Sequence, residues 1–455
     1  MKLLWDIGLK RRLKIYSWSL GIPIGLLLLI GLIGWIGDLI ASYELNQMDL
    51  DGKRFFENFL NRGGYEKPLY NGTGEEGNAW DFYARAIETI KPMETSEGKI
   101  LLEFLDGKVE DLSQVTPILL RYEEPLQNIR RGLSQTRCLI PIEYEKGEKA
   151  PLPDYMSLRS LAKLLAAHGR LAQKMGRTRD ASADYLDVMM FGQDIAGGDL
   201  IMIGDMVGIS ILNTGWKEMR EDLMTFSFQE EDLQEIANTL HNLSSTWPYL
   251  GEDLLAEIYM LPFTHETMEM KLRLSVPAGS ITGQLIQNRL FFWWFFHLRS
   301  WKSLFSVHRA WLDAKKLPLE LVGEVISAEK HDLHPLNLLR EEWDRRTKDY
   351  WLGTTIALNP YEMAKRRLEG ILKIRLCGLA ALAQLEYLQN NRYPENLNTV
   401  GVQSALGGES LLTDPMTDSP WQYRVSAKGD SCEISSLYKH EHQKISTLTL
   451  GPPGR

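Results

Sequence analysis

SLRSLAKLLAAHGRLAQKMGRTRDASADYLDVMMFGQDIAGG, Ser157 to Gly198, is the most regular stretch of this 455-residue chain. Its apolar residues recur at the three- and four-residue spacing of one helix face. The pattern breaks at Gly176 to Asp180, resumes as a second helix from Ala181, and stops at Gly197-Gly198. Two helices joined by so short a break must double back, so the segment predicts an antiparallel helical hairpin and sets the fold class as mainly α.

Working outward, Gly169, Gly176, Ala181 and Tyr185 resemble the small and aromatic positions of a tetratricopeptide unit. One copy is present where a solenoid needs about three, so the resemblance implies a helical hairpin and no more. Upstream, NAWDFYARAIETI from Asn78 places Trp80, Tyr83, Ala84 and Ile87 on one stripe, and further helices are expected around Glu97 to Leu105 and Gln114 to Gly132. Pro141, Pro151 and Pro153 mark the stretch from Leu139 to Tyr155 as a loop or small hairpin. Downstream, Leu200 to Leu223 reads as helix, and Ser227 with Glu230 forms a capping box opening Phe228 to Leu243. Helix formers continue to Ala357. Residues 78–357 are therefore expected to form one multi-helix bundle or irregular helical repeat, without the strand-helix alternation of nucleotide-binding α/β folds.

The N-terminal region differs in kind. WSLGIPIGLLLLIGLIGWIG, Trp18 to Gly37, holds no charge over 20 residues, and a helix of that length crosses a hydrocarbon core of about 30 Å. Lys10, Arg11, Arg12 and Lys14 precede it, and Asp38, Glu44, Asp49 and Asp51 follow. That asymmetry predicts a single-pass inner-membrane protein: residues 1–16 a cytoplasmic basic tail, 17–38 an uncleaved signal anchor, and the rest extracytoplasmic. Gly21 and Gly25 would allow two such spans to pack closely. Residues 39–77 read as a tether, polar and rich in Gly from Asn46 to Gly77, with a short helix at Phe55 to Leu60.

At the other end, a long helix from Tyr361 halts before Tyr393-Pro394, and LLTDPMTDSPWQYRV, Leu411 to Val425, follows. Trp421, Tyr423 and Val425 alternate on one face of a strand, Gly429-Asp430 turns, and Cys432 and Ile434 begin the return. Residues 361–455 are thus one long helix and a small antiparallel sheet. With Arg392-Tyr393-Pro394, Asp414-Pro415, Pro420, Trp421 and Tyr423, this region resembles the globular part of type II secretion major pseudopilins. Two departures accompany the resemblance. The family's acidic calcium loop is replaced by Gly451-Pro452-Pro453-Gly454, and Ser19 to Ile30 lacks the glutamate of a prepilin-peptidase substrate. The whole layout resembles bacterial membrane-anchored proteins of unknown function, which implies an envelope location and brings no activity.

Motifs for chemistry are sparse. Ser160 and Lys163 have the S-x-x-K spacing without its partner motifs, within an ordinary amphipathic helix. His331 with His334, and His440 with His442, are histidine pairs without a closed ligand set. Cys138, Cys377 and Cys432 are too widely spaced for a disulfide framework. No catalytic, metal or cofactor residues are assigned. The net charge of −9 argues against a nucleic-acid partner. The aromatic run Phe291, Phe292, Trp293, Trp294, Phe295 and Phe296 exceeds what one helix face buries, which makes it a candidate partner or membrane surface. The expectation is an extracytoplasmic scaffold that binds another envelope protein. Its competitors are an envelope hydrolase whose site forms only in the fold and an accessory factor of a secretion or pilus-like machine.

Overall fold

The structure is a computed structural model describing residues 32, 36–37, 39–68, 74–90, 95–225, 228–248, 250–260, 360–397, 409–417, 419–438 and 447–451. The stretch Trp18 to Gly37 with Gly21 and Gly25, the run Phe291 to Phe296 and both histidine pairs lie outside these residues, save Leu32, Ile36 and Gly37. Among the described residues no helix is long and apolar enough to cross a membrane.

The chain divides into two compact units, one of residues 1–54, 261–320 and 345–358, the other of 55–260, 321–344 and 359–455. In the first, residues 39–54 are helical, the beginning of helix α1 (39–61). The segment read as a tether is therefore helical well beyond Phe55 to Leu60. Its polar composition conceals one buried face, Ala41, Leu45, Gly52 and Phe59, repeating at four and seven residues.

The second unit takes in the end of α1, residues 55–61, and continues with β1 (Tyr65–Glu66) and β2 (Glu75–Asn78), then α2 (Ala79–Thr89), α3 (Thr95–Leu105), α4 (Leu112–Arg121), α5 (Glu123–Leu133) and β3 (Gln135–Cys138). The sheet order is β1-β3-β2, with β3 antiparallel to β1 and parallel to β2. These strands span two to four residues of polar sequence and offer no alternation to read. The helix expected over Gln114 to Gly132 is broken at Tyr122. Pro125, which lacks an N–H and would crowd the carbonyl four residues back, falls in the first turn of the new helix, where the missing N–H has no partner to lose.

A 3-10 segment (Tyr144–Lys149) leads to α6 (Tyr155–Lys174), α7 (Thr178–Gly198), α8 (Met202–Met224), α9 (Glu230–Ser245) and α10 (Leu250–Met260). The hairpin of α6 and α7 turns at Gly176, φ +76°, and α7 begins three residues earlier than its apolar pattern suggests. A Cβ at Gly169 of α6 would lie 2.7 Å from the Tyr185 ring, so the small residue and the aromatic face each other across the hairpin. The capping box of α9 joins Gln229 and Asp232, two residues on from the expected Ser227 and Glu230.

Helix α7 is the centre of this unit. From Ala181 onward nearly every residue is buried, because α5, α6, α8, α9, β1 and β3 all pack against it. Its closest neighbour is α8. A Cβ at Gly192 would lie 2.6 Å from the Gly208 carbonyl oxygen, and one at Gly208 would overlap the Gly192 carbonyl. Gly215, seven residues on, meets the Tyr185 carbonyl in the same way. The two backbones are in contact, with no room for a side chain between them.

Helix α11 (Pro360–Asn390) lies along α8 and α9. Lys373 Nζ donates to Asn213 Oδ1 at 2.6 Å, and the Gln384 side-chain amide donates to the Leu223 carbonyl near the end of α8. Asn391, φ +55°, ends α11 in the left-handed conformation, three residues before Pro394. A short 3-10 segment (Glu409–Leu412) precedes β4 (Thr413–Asp414) and β5 (Ser419–Pro420), which form one hairpin. Asp414, fully buried, builds its turn: Oδ1 accepts from the Met416 N–H at 2.9 Å, and Oδ2 accepts from Thr417 Oγ1 at 2.9 Å and Ser436 Oγ at 2.5 Å. Then β6 (Gln422–Val425), β7 (Cys432–Ser435) and β8 (Thr447–Leu450) form an antiparallel sheet.

The alternation of this sheet is regular. Trp421, Ile434, Leu448 and Leu450 are buried, while Gln422 and Arg424 are exposed. Tyr393 joins sheet to helix end, its N–H donating to the Gly429 carbonyl at 2.9 Å and its hydroxyl to the Gly451 carbonyl at 2.8 Å. The Tyr423 hydroxyl donates to the Pro394 carbonyl at 2.9 Å. The Tyr-Pro pair is thus where strands and helix meet.

Two measurements check this packing. Gly208→Ala should destabilise by about 2 kcal/mol or more, since neither backbone can yield. Gly370→Ala, in α11 with its nearest neighbour 4.0 Å from the added Cβ, should instead stabilise by about 0.5 to 1 kcal/mol. Urea titrations giving the same sign for both would contradict the backbone contact. Trp421→Ala should cost about 3 to 5 kcal/mol, whereas Gln422→Ala and Arg424→Ala stay within about 0.5 kcal/mol.

Candidate functional site

A helix buried on all sides must find a partner for every polar side chain it carries. Helix α7 and the residue that ends it carry five carboxylates; Asp180 is exposed in the first turn, and Asp184, Asp187, Asp194 and Asp199 are each met by a group from another element.

Asp194, on the inner part of α7, pairs with Lys67 just after β1, Oδ2 to Nζ 2.6 Å, with both side chains 3% exposed. The other Lys67 protons go to the Gly132 and Leu133 carbonyls at the end of α5, at 2.9 and 3.1 Å. The Tyr83 hydroxyl of α2 donates to the same Asp194 oxygen at 2.5 Å. Burial raises the Asp194 pKa, opposed by the Lys67 charge. Burial and the adjoining carboxylate push the Tyr83 phenol well up, so it remains a donor. All three ammonium protons are used, which makes this a structural bolt joining the segment after β1 to α2, α5 and α7.

Asp199 organises the start of α8. Its Oδ1 accepts from the Ile201 N–H at 2.9 Å and its Oδ2 from the Tyr155 hydroxyl at 2.6 Å. Glu257 Oε1 accepts from the Met202 N–H at 3.1 Å, and the Tyr144 hydroxyl accepts from the Leu200 N–H at 3.1 Å. The amides that a helix N-terminus leaves without partners are thus met by side chains. Burial lifts Asp199 to about 7, with Asp205 and Glu257 pushing the same way.

One cluster reaches solvent. Asp184 accepts from Arg130 of α5 at 2.6 Å and lies 2.5 Å from Nδ1 of His168 on α6. Asp187 sits 3.8 Å from the Arg130 guanidinium, and burial together with the Asp184 charge lifts it to about 7. The His168 side chain is 23% exposed and that of Asp184 4%. A buried carboxylate on Nδ1 orients the imidazole, an arrangement suited to proton transfer. Among the described residues its side-chain partners are Arg130 and Asp184, and no hydroxyl or thiol nucleophile is bonded to it.

The residues singled out by sequence fall elsewhere. Ser160 turns its hydroxyl back to the Met156 carbonyl at 3.0 Å, and Lys163 is exposed, so the S-x-x-K spacing brings no pair together. Among the described residues no group of three or more His, Cys, Asp or Glu is arranged to hold a metal ion, and all three cysteines are free and buried. The sequence reading passed over the α7 carboxylates. Their signal was present in DYLDVMMFGQD, where acids recur at helical spacing within an apolar helix. Comparison with protein-family models, curated proteins and solved structures gives no match.

The raised carboxylates fix the sign of the pH dependence. An acid whose folded pKa lies above its unfolded value of 3.8 takes up a proton on folding, so stability falls as pH rises through the interval between the two values. For Asp199, that interval runs from 3.8 to about 7. The denaturation midpoint should be higher at about pH 5 than at about pH 8, and Asp199→Asn, which keeps an acceptor for Ile201, should flatten part of that slope. A midpoint that rises over the same range would contradict it.

Proposed function

We propose that this chain is a membrane-anchored, extracytoplasmic partner-binding protein of the bacterial envelope, holding a helical domain and a pseudopilin-like C-terminal unit outside the inner membrane. The observation that carries the reading is the uncharged stretch Trp18 to Gly37, with basic residues before it and acidic residues after it. The C-terminal unit adds support: a 31-residue helix stopped ahead of Tyr393-Pro394, an Asp-Pro turn and a three-stranded antiparallel sheet keep the order of elements that the resemblance implies. The partner is another envelope protein. The polar groups around α7 are spent on joining elements, which suits a rigid body that presents surfaces.

A C-terminal fusion to a reporter that works only outside the cytoplasm should be active, and the full chain should sediment with membranes until detergent is added. An intact but inactive fusion would reverse the topology. A chain that stays in the supernatant without detergent would remove the anchor.

A further inference from the structure

Helix α1 has two apolar faces, and only one of them is covered. Ala41, Leu45 and Gly52 are buried. On the opposite side, Leu39, Ile40 and Tyr43 are 51 to 66% exposed, and the helical residues Leu32 and Ile36 continue the same line at 51 and 45%. Positions 32, 36, 39, 40 and 43 follow the helix repeat and form one stripe. Beyond Tyr43 the line passes the exposed Asn46 and Gln47, and Leu50, 44% exposed, is its single apolar residue before Arg54.

We propose that this stripe rests in the lipid headgroup layer, so that the protein leaves the membrane between Tyr43 and Gln47 rather than at Gly37. The inference rests on the membrane-anchored reading and places its boundary. Lipid is the occupant because the stripe is continuous with the uncharged stretch, sharing Leu32 and Ile36 with it. The dimensions agree. A helix of 20 residues, the length of Trp18 to Gly37, would cross a core of about 30 Å, the headgroup layer adds roughly 5 to 8 Å per side, and six further helical residues would rise about 9 Å. Tyrosine at the outer limit matches the aromatic enrichment of that layer, and a carboxylate at Asp38 can remain hydrated there.

The test uses the full chain in nanodiscs of phosphatidylethanolamine and phosphatidylglycerol. Single variants Leu32→Cys, Ile40→Cys, Tyr43→Cys and Arg54→Cys are labelled with a bimane fluorophore. The native cysteines are buried, and label on the unsubstituted chain sets the background. Lipid carrying a nitroxide near its headgroup should quench the labels at 40 and 43 several-fold more than the label at 54, while aqueous iodide shows the reverse order. Quenching by lipid at 32 with 40 and 43 behaving like 54 overturns this inference and leaves the anchor standing. No lipid quenching at 32 overturns both. Labels at 40 and 43 shielded from lipid and iodide alike mean that protein, a partner or a second copy, covers the stripe, which also overturns it.

Discussion

The contact between the α7 and α8 backbones at Gly192 and Gly208 is the constraint from which the rest of the second unit follows. Helices usually stand apart by the thickness of their side chains, about 8 to 10 Å between axes. Here the glycines remove that spacing, and Gly215 keeps it removed two turns further along α8. With α8 against one side and α6 closed over another, α7 beyond its first turn keeps almost no face for water. The carboxylates it buries must then be answered from outside. That requirement recruits Lys67, Tyr83, Arg130, His168 and Tyr155 from elements scattered along the sequence.

Buried charge of this sort is weak as net stabilisation and strong as specification. Taking a lysine and an aspartate out of water costs several kcal/mol per ion before their attraction repays it. A misplaced element leaves one of them alone, which is far worse. The Lys67 ammonium accepts one arrangement, with two α5 carbonyls and the Asp194 carboxylate at hand together. The pairings therefore select a single packing of α2, α5 and α7 among the many that apolar contacts alone would tolerate.

What could be read from sequence was what depends on neighbours in sequence. The α6 and α7 hairpin announces itself through period and glycine, and the in-out order of Trp421, Gln422 and Tyr423 follows from strand geometry. Boundaries moved where a proline or a cap overrode the pattern, at Tyr122 and Gln229, and α7 begins at Thr178 with no side-chain cap, ahead of its apolar pattern. Long-range pairings gave little local trace. The β1-β3-β2 sheet joins segments 59 to 73 residues apart, and Lys67 lies in a Gly-rich polar stretch where nothing marks it as buried. The candidate site was legible on one side only: acids at helical spacing in an apolar helix showed that partners were needed, and only the fold shows which they are.

The position of Lys67 also has a mechanical meaning. It stands six residues beyond the end of α1, whose last turns are already held in the second unit by Phe59 and by the stacking of Phe56 on Tyr144. Arg62 with Glu252, the two-residue β1 and then the Lys67 bolt follow α1 in series along the chain. The first two are exposed or short. The third is dry and held from three directions, so peeling this stretch of chain away would have to break the Lys67 contacts to α5 and α7 together.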